Sequence, residues 1–255
     1  MEIEVIVGDI AQTEADAIVV NLFEGVEQPG GATAVVDKAL DGAINSLISR
    51  GEIKGKFGEV HIVHALGKPR QVGASIVAVV GLGKQRDFNV GKIREIAGEF
   101  CRVLRKLNCH KIATIVHGAG IGGIEIEDSA EAIAEGALLG LYSFTKYKKP
   151  EYEDIKEMLI VIRDEGKVPI LKTAIGKGKV LAEATNLARD MVNEPANYMT
   201  PGQMAEAAKE IANKYNLELK VFDREELEAM GMGALLGVAK AVSYTHLTLP
   251  TKRIV

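Results

Sequence analysis

K-I-A-T-I-V-H-G-A-G-I-G-G-I-E-I-E-D, Lys111 to Asp128, passes from a β-branched apolar run through a glycine-rich turn to a helix start. Lys111 to His117 has the short Val/Ile-rich texture of a buried strand. The helix is expected to open at Asp128, with Glu131 in capping-box position and Ile133, Ala137 and Leu141 pointing inward. Strand, turn and helix in that order make one unit of an α/β sheet. Working outward, Glu2 to Val7, Ala17 to Asn21, Glu59 to His64, Ser75 to Val80 and Met158 to Ile162 read as further strands of the same kind. Between them, Asn89 to Leu107 places Ile93, Ile96, Ala97, Phe100, Val103, Leu104 and Leu107 on one helical face. The alternation predicts an α/β fold with a mixed sheet flanked by helices on both faces.

Past Arg163 the texture changes. Leu171, Ile175, Leu181, Ala184, Leu187, Ala188 and Met191 form a long helical stripe that stops near Asn193, because Pro195 disfavours helical geometry in the residue before it. Thr200 then caps a new helix, with Pro201 in its first turn, Gln203 placed to return the capping bond, and Met204, Ala208, Ile211 and Tyr215 as the buried face. Leu217 to Phe222 is expected as a strand, followed by a short helix capped by Asp223 and Glu226 and closed at Gly231. This organisation divides the chain into a first α/β domain over 1–165, a connecting helix over 166–195 and the incomplete start of a second α/β domain over 196–241. The polar stretch Lys146 to Asp154 reads as a surface loop.

The 255 residues carry a net charge of -4, with 47% hydrophobic and 26% charged residues, an ordinary globular composition. An acidic chain without a basic stripe argues against a nucleic-acid partner, and so against a DNA-binding regulator. Cys101 and Cys109 are the two cysteines and read as reduced thiols. The N-terminal M-E-I-E-V-I-V-G-D is charged where a signal peptide is apolar, and no uninterrupted apolar run reaches the ~18 residues of a membrane span. A cytoplasmic location is expected.

The segment N-L-A-R-D-M-V-N-E-P-A-N-Y-M-T-P, Asn186 to Pro201, resembles the linker of the leucyl aminopeptidase family. Gly231 to Val238, and Gly81-Leu82-Gly83-Lys84 with Arg94 to Gly98, resemble the same family. The resemblance implies an N-terminal domain similar to a macro domain. It also implies a full-length cytoplasmic hexamer that releases N-terminal residues, leucine favoured, from peptide substrates, using two divalent ions, zinc or manganese. Family members carry the metal ligands on segments like V-G-K-G-x-T-F-D-S-G-G and N-T-D-A-E-G-R-L, and neither occurs here; Ile175-Gly176-Lys177-Gly178-Lys179 is a superficial echo. The expectation is a truncated aminopeptidase with no catalytic residue, metal ligand or cofactor of its own in these 255 positions. Similarity ends near Ala241, and Val242 to Thr251, V-S-Y-T-H-L-T-L-P-T, resembles a translated sequencing adapter, so 242–255 is expected to be non-native.

Other candidate groups have plain structural readings. Glu125, Glu127 and Asp128, like Asp223, Glu225, Glu226 and Glu228, sit where acidic residues favour a helix start. His61 and His64 point to opposite faces of a strand. His117, at a strand end beside the glycines, is expected to be a hydrogen-bonded core or rim residue. The rival functional reading is a macro-domain-type module for ADP-ribose or a nucleotide. Gly8-Asp9-Ile10, Asp16 to Asn21 and Pro29-Gly30-Gly31 resemble the opening of macro domains, which implies Asp9, Gly30, Gly31, Gly118, Gly120, Gly122 and Gly123 as a ligand loop set. Glu24 opposes that reading by placing a negative charge near a diphosphate.

Overall fold

A computed structural model describes residues 1–65, 71–118 and 123–239. The first compact unit runs from Met1 to Asn193 and the second starts at Glu194. In the first unit the chain forms β1 (Glu2–Val7), β2 (Ala15–Phe23), α1 (Gly31–Ala39), α2 (Ala43–Ser49), β3 (Val60–His64) and β4 (Ala74–Gly83). It continues through α3 (Val90–Lys106), β5 (Lys111–Thr114), α4 (Ile126–Gly140), β6 (Glu157–Ile162) and α5 (Val168–Asn193). The strands make one six-stranded sheet in the order β1-β6-β5-β2-β4-β3. Every pairing is parallel except that of β3 with β4, so the sheet is mixed, as the strand-helix alternation implied.

Alternation along the central strands builds two cores. In β2, Ala17 and Val19 join the layer that holds Ile93, Phe100, Ile133 and Leu171 from α3, α4 and α5. Ile18, Val20 and Leu22 enter the opposite layer with Val36 of α1 and Ile44 of α2. Both faces of the strand are therefore covered, and Ala17 to Val20 are fully buried. Helix packing in the first layer is unusually close. A Cβ on Gly140 of α4 would overlap the Gly98 backbone of α3, and one on Gly178 of α5 would overlap the Glu131 carbonyl of α4. At the other end of the sheet, the Asp16 carboxylate accepts from the backbone amides of His110 and Lys111 (2.6 and 2.8 Å), fixing where β5 enters beside β2.

Several boundaries differ from the sequence reading. Helix α3 starts where expected, with Asn89 accepting from Lys92 N, but α4 begins at Ile126 after Glu125 and not at Asp128, which lies inside its first turn. No side chain caps α4, so the expected Asp128–Glu131 box does not form. β5 leaves the ladder after Thr114, short of the expected end at His117, whose ring is held by Asn21 and Thr114. Leu171 and Ile175 of the α5 stripe are buried as predicted, but Leu181, Ala184, Leu187 and Ala188 are exposed. The inward face continues instead through Gly178 and Ala182.

The second unit contains α6 (Pro201–Tyr215) and α7 (Arg224–Ala229). Thr200 accepts from Gln203 N at the start of α6. At α7 the reciprocal box between Asp223 and Glu226 is complete, and Gly231 follows with φ 72°. Leu217 to Phe222 is not a strand: a strand needs a neighbour to accept its backbone hydrogen bonds, and no strand is described in this unit. Met204 and Tyr215 are exposed for a related reason, since the described elements of the unit give α6 little to bury against. Residues 242–255, expected to be non-native, lie outside the described residues.

Candidate functional site

Parallel strands leave a crevice at their C-terminal ends where successive connections depart to opposite faces. Here β2 lies between β4 and β5; the chain leaves β2 for α1 on one face and β5 for α4 on the other. Between these exits lies a cleft of about 500 Å³, lined by residues that include Asn21, Phe23, Gly30, Gly31, Gly118 and Lys167. Thr33 anchors the start of α1 by donating to the Asn21 carbonyl (2.7 Å). Of the macro-domain loop set, the structure brings Gly30, Gly31 and Gly118 to this cleft. Asp9 and Gly123 are not in its lining. Asp9 instead caps the short 3-10 turn Ile10–Gln12 by accepting from Ala11 N (2.9 Å). Gly120 and Gly122 lie outside the described residues. Glu24 is also absent from the lining, because its amide donates to the Gly83 carbonyl (2.9 Å) and carries the end of β2 toward β4.

His117 sits at the base of this region and is fully buried. Asn21 Nδ2 meets its Nδ1 at 2.9 Å, and its Nε2 lies 3.0 Å from Thr114 Oγ1. An amide NH₂ can only donate, so Nδ1 is the acceptor, the ring proton is on Nε2, and Nε2–H donates to Thr114. Ser129, in the first turn of α4, donates to the His117 carbonyl (2.7 Å), and the Phe100 ring meets the imidazole edge to face. Burial pushes the imidazole down to about 4, so the ring is neutral at pH 7. Both nitrogens are occupied, which leaves His117 without a lone pair for a metal or a substrate proton. Gly118, next to it, has φ 75°, and a Cβ there would overlap the Phe88 ring. Phe88 in turn packs edge to face on Phe23, with centroids 5.1 Å apart. Aromatic packing therefore already requires the glycine.

The model for the N-terminal domain of the cytosol aminopeptidase family matches residues 19–151, and the catalytic-domain model of that family matches residues 186–249. The chain belongs to the cytosol aminopeptidase family. A probable cytosol aminopeptidase of Sulfurihydrogenibium sp. (strain YO3AOP1) is 37% identical over 259 residues, covering 99% of this chain and 50% of the relative. One from Alkaliphilus metalliredigens (strain QYMF) is 36% identical, covering 93% and 48%. The chain thus spans about half the length of the curated relatives it matches. Among solved structures, the bottromycin maturation enzyme BotP in complex with Mn superposes with a TM-score of 0.63 at 27% identity, over 85% of this chain and 40% of that one. A tomato leucine aminopeptidase mutant shares the fold (TM-score 0.76, 20% identity, 91% and 46% covered). The catalytic-domain match runs to residue 249, past the break in similarity read near Ala241.

A two-metal aminopeptidase centre needs several carboxylates gathered with a lysine, and the described residues bring no such group of carboxylates together. Among the described residues no three His, Cys, Asp or Glu side chains come together as a metal-holding group. Glu125 and Asp128 are exposed at the α4 start. Asp223 and Glu226 are committed to their capping box, and Glu228 pairs with Arg224 (3.2 Å). His61 faces Glu59 at 3.6 Å on the sheet-edge strand. Lys177-Gly178-Lys179 lies inside α5, where the glycine serves helix packing. Both thiols are buried, and desolvation raises each, Cys109 to about 11, so neither is a nucleophile at neutral pH.

The family linker segment has a role that apolar periodicity did not reveal. Beyond Ala182, the α5 face that continues the buried stripe carries Asn186, Arg189, Asp190 and Asn193. Asn186 Nδ2 donates to the Leu138 carbonyl (3.4 Å) and Arg189 Nη1 to the Leu139 carbonyl (3.0 Å), both in the last turn of α4. Tyr142 donates to Asp190 Oδ1 (2.8 Å) and accepts from Asn193 Nδ2 (3.0 Å), while the Arg189 guanidinium lies 5.3 Å from the Tyr142 ring centroid. Polar residues at i, i+3, i+4 and i+7 were the available signal.

Proposed function

We propose that this chain supplies the N-terminal domain and the opening elements of the catalytic domain of a two-metal aminopeptidase. The complete enzyme removes N-terminal residues, leucine favoured, from peptides. The observation that carries this reading is the order of two family matches on one chain, the N-terminal domain over 19–151 and the catalytic domain from Asn186 onward. Zinc or manganese is the proposed metal pair, held by residues outside these 255; the manganese complex of BotP supports the metal class. When bound, the pair would supply a Lewis acid for the scissile carbonyl and an activated water. What this chain contributes is the scaffold: a packed α/β unit and a rigid helix leading to the catalytic elements.

A cytoplasmic hexamer is the proposed setting of the complete protein. No helix among the described residues is long and apolar enough to cross a membrane. The division into 1–165, 166–195 and 196–241 is proposed from the change of sequence texture, and its order is supported by the family matches over 19–151 and 186–249. In this reading the cleft at the strand ends is a remnant of fold and not a nucleotide site, supported by the packing requirement at Gly118 and by the engagement of Asp9 as the cap of a 3-10 turn outside the cleft lining. Calorimetric titration with ADP-ribose is expected to give no saturable heat.

The central test is direct. The purified 255-residue chain, supplied with Mn²⁺ or Zn²⁺, is expected not to cleave leucine p-nitroanilide. A chain extended through the downstream coding sequence is expected to do so, and to lose activity on chelation. Metal-dependent cleavage by the 255 residues alone, or none by the extended chain, would overturn the proposal.

A further inference from the structure

The apolar packing of α5 ends at Ala182, yet the helix continues to Asn193, with no buried residue among its last turns. A few helical turns held by neither packing nor tertiary bonds are marginal in water. What holds them is the cluster on Tyr142: Asn186 and Arg189 close carbonyls that the α4 C-terminus leaves without helical partners, and Asp190 and Asn193 bracket the Tyr142 hydroxyl. Capping α4 needs only the first two bonds. The Asp190–Tyr142–Asn193 chain instead ties the final turn of α5, immediately before Glu194 and Pro195, where the second unit starts.

We infer that Tyr142, Arg189, Asp190 and Asn193 form a latch of positioning residues, which fixes the last turns of α5 to the first unit up to the residue before the second unit begins. The latch does not depend on which reaction the second unit serves.

Spin labels on Lys38→Cys and Val192→Cys, both within the first unit, report on it by pulsed dipolar spectroscopy. Both positions are exposed, and the native Cys101 and Cys109 are buried and escape labelling. The parent is expected to give one narrow distance distribution. Tyr142→Phe with Asn193→Ala is expected to widen it at least twofold and to speed hydrogen exchange at residues 187–193 at least tenfold, with sheet amides still protected. Asp190→Asn keeps an acceptor for Tyr142 and is expected to retain the narrow distribution, whereas Asp190→Leu is not. A purely structural cap would not separate these two. Should the double variant lose sheet protection, the Asp190 pair carries the test, since Asp190 is exposed. A broad distribution in the parent, an unchanged one in the double or Asp190→Leu variants, or equal effects of the two Asp190 variants would overturn the latch.

Discussion

Asn21 Nδ2 donates to His117 Nδ1 across 2.9 Å, and this bond from β2 to the segment after β5 fixes the tautomer of the one imidazole fully buried among the described residues. With Thr114 receiving the Nε2 proton at 3.0 Å, a second ring proton would have to face a donor amide. Charge on His117 therefore costs both desolvation and a hydrogen bond.

The consequence is an acid sensitivity of the first unit. The ordinary value of 6.5 applies to the unfolded chain, and the folded ring titrates near 4. Between these values the unfolded chain holds the proton and the folded chain does not. Stability from this group is thus complete above about pH 6.5 and falls as pH drops toward 4, by about 3 kcal/mol in all. Urea unfolding from pH 7 to pH 4 should show the loss. His117→Gln, which does not titrate, should be less stable at pH 7 but lack this increment, and an equal acid loss in the variant would show that other groups carry it.

Gly118 tests whether the cleft glycines serve packing. Alanine there meets both a left-handed backbone and the Phe88 ring, so Gly118→Ala is expected to cost ~2–4 kcal/mol. Adding Phe88→Ala should relieve the steric part, and the double-mutant cycle should show coupling of about 1 kcal/mol or more. Strict additivity would separate the glycine from the ring.

Much of this fold was legible before any coordinates. Ala17 to Asn21 and Met158 to Ile162 announce themselves as buried strands because both of their faces are apolar, and Asn89 caps α3 in the place its residue type suggests. Three features were not legible, each for a physical reason. Leu217 to Phe222 has strand composition, but composition cannot provide a neighbouring strand. The apolar residues Leu181, Ala184, Leu187 and Ala188 imitate a buried stripe, whereas the true inward face of α5 turns polar at Asn186 and is held by hydrogen bonds, which hydrophobic periodicity does not register. Helices α1 and α2 went unread because they are short. At the cleft, sequence brought Gly30, Gly31 and Gly118 under suspicion together, but it could not tell a ligand loop from a seat for Phe88.

Gly178 separates helix packing from the metal-segment echo in Lys177-Gly178-Lys179. Its missing side chain lets α5 approach the Glu131 carbonyl and the Ala134 Cβ, the latter 3.1 Å from a built Cβ. Gly178→Val should therefore destabilise the first unit by at least ~1–3 kcal/mol through overpacking, despite removing a glycine from a helix interior. Thermal unfolding followed by circular dichroism reads this directly. Gly176, two residues earlier on the opposite side of the helix with open space around it, supplies the control: Gly176→Ala should raise stability by about 0.5–1 kcal/mol. Stabilisation at both positions would mean that the close α4–α5 approach is not required.

The outward face of α5 makes the last prediction. Val180, Leu187 and Val192 are 65%, 42% and 83% exposed, and together with Leu181 they spread apolar surface over the part of α5 turned away from its buried face. Nothing in the first unit's core depends on these side chains, so Val180→Lys, Leu187→Gln and Val192→Lys should each change unfolding free energy by no more than about 0.5 kcal/mol. Their effect should appear in association instead, because exposed apolar surface on a chain of small net charge promotes self-contact. Sedimentation velocity over a concentration series should find less self-association in the triple variant than in the parent, at an unchanged melting temperature. A marked loss of stability would mean that this surface is buried by contacts within the chain, and the face assigned to solvent would have to be reassigned.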